Sequence, residues 1–253
     1  MSMMTRRRFL SLAGLALPAT LAADVCTEAT SLRISQLKLN PDGKLRFVHF
    51  TDFHYKGDDT YAQEVVRRIN DLSPDFVAFT GDLVEDRRFA LVALDYIRAI
   101  KAPVYGSPGN HDYNSRVAFS DFARVFGETG GEWLVDRSAL LPNHDLEIVG
   151  MALGGIHAIR PPRAGRRLLL NHYPALCDAI TGHRFDLMLA GHSHGGQVRL
   201  PFYGAPVLPW GVGRYDLGYF ETKAGPLYVN AGIGTYYFPF RFNCRPELTL
   251  ITL

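Results

Sequence analysis

The sequence predicts an α/β (α+β) domain, and three observations carry that prediction. From residue 45 onward, short apolar runs alternate with segments whose apolar residues recur at helical spacing. Most of those runs stop within a few residues of an Asp, Asn or His, and glycines gather at the same places. With 253 residues and 47% hydrophobic side chains, the chain can bury a sizeable core in one domain, and neither a repeat nor a linker divides it.

Residues 23–44 read as a polar lead-in ending in the turn-like Asn40-Pro41-Asp42-Gly43. Leu45–Thr51 is the first predicted strand, with Phe47, His49 and Thr51 opposite Val48 and Phe50. A helix over 61–72 lines up Val65, Val66, Ile69 and Leu72, and Phe76–Thr80 is a short buried strand running into Gly81-Asp82. A second helix, about 88–100, aligns Leu91, Leu94 and Ile97. Pro103–Tyr105 leads into Gly109-Asn110-His111, and 115–126 is expected to be helical. The second half reads mainly as strands: Leu146–Leu153, Arg167–Leu170, Leu187–Ala190, Gln197–Leu200, Leu227–Val229 and Leu248–Leu253. A helix near 174–181 starts with Pro174 at a favourable early position.

Loops leaving the carboxyl ends of strands in an α/β sheet converge on one crevice, so residues far apart in sequence can meet there. Five motifs offer seven metal ligands: Asp52 and His54 in TDFH, Asp82 in GDLVED, Asn110 in GNHD, His172 in NHYP, and His192 with His194 in GHSHGGQ. Each motif alone is ordinary turn chemistry. All five in order, most of them just after an apolar run, indicate a dinuclear hydrolase. Asp, Asn and His without cysteine suit two divalent ions such as manganese, iron or zinc. Two ions about 3.5–4 Å apart can clamp the attacking and leaving oxygens of an in-line displacement at phosphorus. Asp82 is the expected bridge, because a carboxylate neutralises two cations, and a metal-bridging hydroxide is the expected nucleophile. His111, next to Asn110, is placed to protonate the leaving oxygen as general acid. Glu85 is expected to hold the His111 ring from its far side and favour its protonated form. Asp112 reads as a cap on the turn after His111, and His49, His144, His157 and His183 match no ligand motif.

These motifs resemble the calcineurin-like metallophosphoesterase superfamily over roughly residues 45–253, with all five in the family order. The resemblance implies a four-layer αββα sandwich: two packed mixed sheets flanked by helices, with the dinuclear site at one edge. It implies one ion on Asp52, His54, Asp82 and His194 and another on Asp82, Asn110, His172 and His192. It also implies His111 as the catalytic histidine and Glu85 as its acidic partner. The stretches YVNAGIGT, PFRF and RPELTLITL are similar to a bacterial exported or membrane-associated branch that includes YkuE-like and YaeI-like phosphodiesterases. Asp86 stands where the Ser/Thr protein phosphatases carry a substrate-gripping arginine, which argues against that activity. The implied reaction is hydrolysis of a phosphodiester or phosphomonoester, with a lipid-linked or cell-envelope substrate favoured. One alternative is a UDP-2,3-diacylglucosamine pyrophosphatase of lipid A synthesis, whose cytoplasmic substrate sits badly with export. Another is a catalytically silent metal-binding envelope protein, against which the intact His111 counts.

Residues 1–22 read as an address. Arg6, Arg7 and Arg8 precede an apolar run, Phe9–Leu21, too short to span a bilayer comfortably, and Ala22 offers a cleavage site. TRRRFL resembles the twin-arginine export signal, which implies passage through that machinery to the periplasm or cell envelope. An N-terminal membrane anchor is the alternative, and peripheral association with membrane or cell wall fits either. A net charge of +2 indicates no nucleic-acid partner. Cys26, Cys177 and Cys244 lack metal-ligand spacing. A Cys177–Cys244 bridge needs an oxidising compartment, and buried free thiols are the other reading. The basic run Arg160, Arg163, Arg166 and Arg167 reads as a solvated loop or an anion-attracting patch. The stretch Phe202–Phe220, with Tyr236, Tyr237 and Phe238, reads as an apolar wall beside the metals or as ordinary core between sheets.

Overall fold

The alternation read in the sequence becomes two packed sheets in the computed structural model, which describes residues 28–253 except Tyr237. The expected address at 1–22 and Cys26 lie outside the described residues. The first sheet holds β1 (Arg33–Lys38), β2 (Arg46–Phe50), β3 (Phe76–Phe79), β4 (Val104–Gly106), β5 (Glu132–Trp133) and β12 (Glu247–Thr252), in the order β1-β12-β2-β3-β4-β5. Its pairs are parallel except β12 with β2. The second holds β6 (Arg137–Leu141), β7 (Leu146–Gly150), β8 (Arg166–Leu170), β9 (Leu187–Ala190), β10 (Gly218–Thr222) and β11 (Gly225–Val229), in the order β10-β11-β9-β8-β7-β6. Only its two outermost pairs are antiparallel.

Central strands covered on both faces must be apolar on both, which is why they read as continuous runs in the sequence. Phe47, Phe76 and Ala78 face the second sheet and pack with Leu168, Leu170, Leu187, Leu189 and Ile251. The alternate residues Val48, Phe50, Val77 and Phe79 face three helices, α1 (Asp59–Leu72), α2 (Ala90–Arg98) and α4 (Phe119–Glu128). Helix α1 buries Ala62, Val65 and Ile69; Asp58 caps its start by accepting from Tyr61 N at 3.0 Å, and left-handed Ser73 (φ 45°) ends it. The outer face of the second sheet is covered by a 3₁₀ turn, Pro174–Ala179, and by Ile180, Phe185 and Tyr215.

Several expectations need correction. The lead-in is not wholly separate from the domain: β1 lies within it and pairs in parallel with β12. The expected helix 115–126 begins only at Phe119, as α4, because Arg116 takes a left-handed φ of 57° between it and a short preceding helix, α3 (Asn110–Asn114). Gln197–Leu200 is no strand. Gln197 has φ 57°, Pro201 follows, and only isolated bridges form, Val198 with Phe242 and Leu200 with Gly204. Strands β5, β6 and β10 had no clear signal, being short or alternating weakly at sheet edges. Cys177 and Cys244 are both buried and free, with no bridge between them. Arg167 is not solvated; it is buried, donates to Glu147 at 2.9 Å and lies over the Phe185 ring.

Candidate metal centre

Five parallel strands deliver the site. Asp52 and His54 follow β2, Asp82 follows β3, Asn110 follows β4, His172 follows β8 and His192 with His194 follows β9. These strands end at the same edge of the two sheets, so their loops meet, as the rule for open α/β sheets requires. The turns are tight enough to force unusual backbone. Asp52 (φ 53°), His54 (φ 44°), Asp82 (φ 60°), His192 (φ 66°) and His194 (φ 50°) are all left-handed. Such conformations in non-glycine residues persist only where the surroundings over-determine them. Two glycines make room. A Cβ on Gly109 would stand 2.2 Å from Asp82 Oδ1, and one on Gly191 would stand 2.3 Å from Asp52 Oδ2.

The seven expected ligands converge. Asp52, His54 and His194 bring ligand atoms within 4.8 Å of one another, and so do Asp82, His172 and His192. His54 Nε2 lies 3.1 Å from His194 Nε2, and His194 Nε2 lies 3.3 Å from Asp52 Oδ1. Asp82 Oδ2 joins the two groups, 3.5 Å from His54 Nε2 and 3.2 Å from His172 Nε2. Asn110 Oδ1 sits 3.1 Å from His172 Nε2. Asp52, Asp82, His54, His172 and His194 are buried.

The outward-facing nitrogens explain why the ring edges turn inward. His172 Nδ1 donates to Thr80 O at 2.7 Å, and His192 Nε2 donates to Trp210 O at 2.6 Å. Each bond places a proton on the far nitrogen, so the near one, Nε2 of His172 once its own proton is displaced and Nδ1 of His192, can give a lone pair to an ion. Buried imidazole nitrogens facing one another and two carboxylates form a donor set that suits divalent cations. The cluster is able to bind two metal ions.

Charge in the metal-free cluster is shared unevenly. Burial works against protonation of His54, but Asp52, Glu85 and Asp82 raise its pKa to about 9. Burial likewise opposes protonation of His172, which Asp82 and Asp52 raise to about 9. Burial and the neighbouring His172 lower His192 to about 4, and burial lowers His194 to about 3. Metal ions compete for lone pairs that His54 and His172 otherwise give to protons. Metal binding at pH 7 is therefore expected to release protons, and affinity to rise with pH toward 9. Calorimetry in buffers of differing ionisation heat measures this; a binding heat independent of buffer would contradict it.

One sequence-based role needs correction. Glu85 lies near His111, with ligand atoms of both and of His54 within 4.8 Å of one another, but its closest contacts are elsewhere. Its Oε1 lies 2.9 Å from His54 Nδ1 and 3.1 Å from Lys56 Nζ. The His54 contact is close but badly directed, so neither atom has a well-formed hydrogen bond there. His111 instead leans on rings, with centroids 4.9 Å from His54 and 4.8 Å from Tyr236. Its pKa is lowered by burial, against the raising effect of Asp82 and Glu85.

Two residues matter more than sequence reasoning allowed. Asp112 is fully buried and accepts three backbone N–H groups, from Asp82 at 2.8 Å, Leu83 at 2.8 Å and Gly109 at 2.9 Å. It thereby staples the Asp82 loop to the Asn110 loop, and its place in GNHD was the available signal. Burial and the Asp82 charge push its carboxyl up to about 7, against those three donors. Asp112→Asn turns an amide N–H₂ toward at least one of them and is expected to cost about 1–3 kcal/mol. At roughly 2–4 °C per kcal/mol, a thermal melt should read a fall of several degrees; an unchanged Tm would contradict the stapling. Arg241, from PFRF, is fully buried and donates to the carbonyls of Ala231, Gly232, Gly234 and Cys244. The turn it clamps donates Gly234 N to Asp52 O at 2.7 Å.

Comparison with known proteins supports the same reading. Residues 45–196 match the sequence profile of the Calcineurin-like phosphoesterase family. The metallophosphoesterase YkuE of Bacillus subtilis (strain 168) is 29% identical over 232 residues, covering 82% of this chain and 78% of that protein. The phosphodiesterase YaeI of Escherichia coli (strain K12) is 34% identical over 162 residues, covering 60% of this chain and 58% of that protein. The crystal structure of TT1561 of Thermus thermophilus aligns with 75% of this chain and 90% of that chain at TM-score 0.50 and 11% identity, a likeness of fold.

Proposed function

From the premise that this chain belongs to the calcineurin-like phosphoesterase family and is a metallophosphoesterase, we propose that it hydrolyses a phosphoester of the cell envelope, with a lipid-linked substrate favoured. The observation that carries the reading is the convergence of ligands from five loops on one cluster, with His111 at its rim. In this reading Asp52, His54, Asp82 and His194 hold one ion, and Asp82, Asn110, His172 and His192 hold the other. The two ions, when bound, supply Lewis-acid polarisation of the phosphoryl oxygens and an activated water.

The chain's own residues do the rest. Asp82 turns Oδ2 toward both groups of ligands while Oδ1 accepts the His111 backbone N–H at 2.7 Å. That bond ties the acid's position to the bridging carboxylate. His111, partly exposed, delivers a proton to the leaving oxygen. A bound phosphoester adds negative charge beside Asp82 and Glu85, and all three favour the protonated ring that this role needs. Glu85 contributes through its charge, which lies beside both His54 and His111.

The test is hydrolysis of bis-p-nitrophenyl phosphate against p-nitrophenyl phosphate, without metal and with manganese, iron or zinc added. Metal-dependent cleavage supports the proposal, and the better substrate distinguishes diester from monoester preference. No cleavage of either with both metals bound would overturn general phosphoesterase activity and leave only a narrow substrate. We place the enzyme outside the cytoplasm, on the strength of Arg6, Arg7 and Arg8 ahead of a short apolar run. Changing the three arginines to lysine is expected to leave the chain in the cytoplasmic fraction; unaltered export would exclude the twin-arginine route.

A further inference from the structure

The four most exposed large apolar side chains among the described residues, Phe202, Trp210, Val207 and Tyr203, all sit within one nine-residue stretch. Leu200 is exposed beside them. A tight turn, with Tyr203 N and Gly204 N both bonded to Leu200 O, holds Phe202 in a left-handed conformation (φ 65°) and thrusts it fully into solvent. A bulky residue in that conformation is uncommon, so the exposure has a backbone cost.

This loop is joined to the metal centre. Trp210 O accepts the hydrogen bond from His192, and the Trp210 ring packs on Tyr173 (5.8 Å), which packs on His192 (4.3 Å). On the neighbouring loop, exposed Phe238 stacks on Phe240 at 5.3 Å. Gln197 donates to the carbonyls of both, and the same loop sets Tyr236 against His111. Both apolar loops therefore touch the ligand cluster, one at His192 and the other at His111.

The charge of these segments leans basic. Residues 187–246 carry Arg199, Arg214, Lys223, Arg241 and Arg245 against Asp216 and Glu221, and Arg241 is fully buried. Arg199 is paired with Asp216 and Arg214 faces Asp178 at 3.5 Å, so the attraction to anions is modest and the apolar tips supply most of the binding. Separate, protruding aromatic and aliphatic tips beside an opening, with a modest basic excess, suit the headgroup zone of a bilayer rather than a small ligand.

We infer that residues 200–210, with Phe238 on the neighbouring loop, dock this enzyme on an anionic lipid bilayer, so that the metal centre faces the headgroup phosphates. The inference rests on the envelope-phosphoester reading for what the enzyme does there, but its test reads membrane contact without catalysis.

The chain has two tryptophans, Trp133 buried in the core and Trp210 exposed, so a change in emission on adding vesicles reports the loop. The full chain is mixed with vesicles of phosphatidylglycerol and phosphatidylcholine, with and without brominated acyl chains. Trp210 emission is expected to shift to the blue and to be quenched by the brominated lipid. Phe202→Ser with Tyr203→Ser is expected to weaken vesicle binding by ~10-fold or more, since both aromatic tips lose their apolar area in the bilayer. Hydrolysis of bis-p-nitrophenyl phosphate should be unchanged in that variant. Emission that neither shifts nor is quenched overturns the inference, even if the chain sediments with vesicles through another segment. A shift that depends on protein concentration without vesicles assigns the patch to a second copy. Emission already blue and shielded in the dilute chain assigns it to residues of this chain. Either result also overturns it. Quenching without hydrolysis of any phosphoester would instead sink the proposed activity and leave the docking surface standing.

Discussion

Asp82→Asn is expected to lose the paired metal centre and to lower turnover on the order of 10³-fold or more, well beyond the ~10–100-fold cost of disturbing an outer-shell group. Asp82 is the carboxylate that reaches both groups of ligands, through Oδ2 at 3.5 Å from His54 and 3.2 Å from His172. Asparagine has nearly the same shape, tolerates the left-handed backbone (φ 60°) and can still accept the His111 N–H. The substitution therefore removes charge while leaving the turn able to form, and a thermal melt beside the assay separates the two effects. Elemental analysis of the purified variant decides the role. Two full equivalents of metal retained would mean that Asp82 is not the bridge.

His111→Ala is expected to keep both metals and to lose ~10²–10⁴-fold in turnover on substrates with poor leaving groups. The ring touches His54 and Tyr236 through its faces and edges, and no ligand depends on a hydrogen bond from it. A p-nitrophenolate needs little protonation to depart, so the same variant should lose far less on an activated ester. That contrast between leaving groups is the signature of an acid; equal losses on both, or loss of metal, would assign His111 a structural or binding role. Removing Glu85, by contrast, should act on the His54 side of the cluster, because that is the ring it meets.

Much of the site was legible because ligand identity is local chemistry. TDFH, GDLVED, GNHD, NHYP and GHSHGGQ each name donor side chains, and each stands where an apolar strand gives way to a turn. All seven expected ligands meet at the strand ends. Strand β9 matched its expected bounds because a four-residue apolar run buried on both faces carries its own signal. Strand β1 was missed because its burial is partial and its stability comes from pairing with β12, more than 200 residues away. Gln197–Leu200 failed for the opposite reason: its composition suited a strand, but the backbone at Gln197 turns to clamp Phe238 and Phe240.

By itself, then, the sequence determined the donor set, the alternation that brings those donors to one edge, and the class of chemistry they support. Only the tertiary structure decided which groups face one another. Glu85 lies three residues from Asp82, so it is near the site by connectivity, yet its partner depends on how two loops approach, and that partner is His54. Asp112 could be read as a cap, but its hold on Asp82 and Leu83 exists only because strands β3 and β4 end side by side. The aromatic stretch after GHSH could be read as wall or core. Long-range packing sends Tyr215 inward and leaves Trp210 outward, a choice between burial and exposure that residue type cannot make alone.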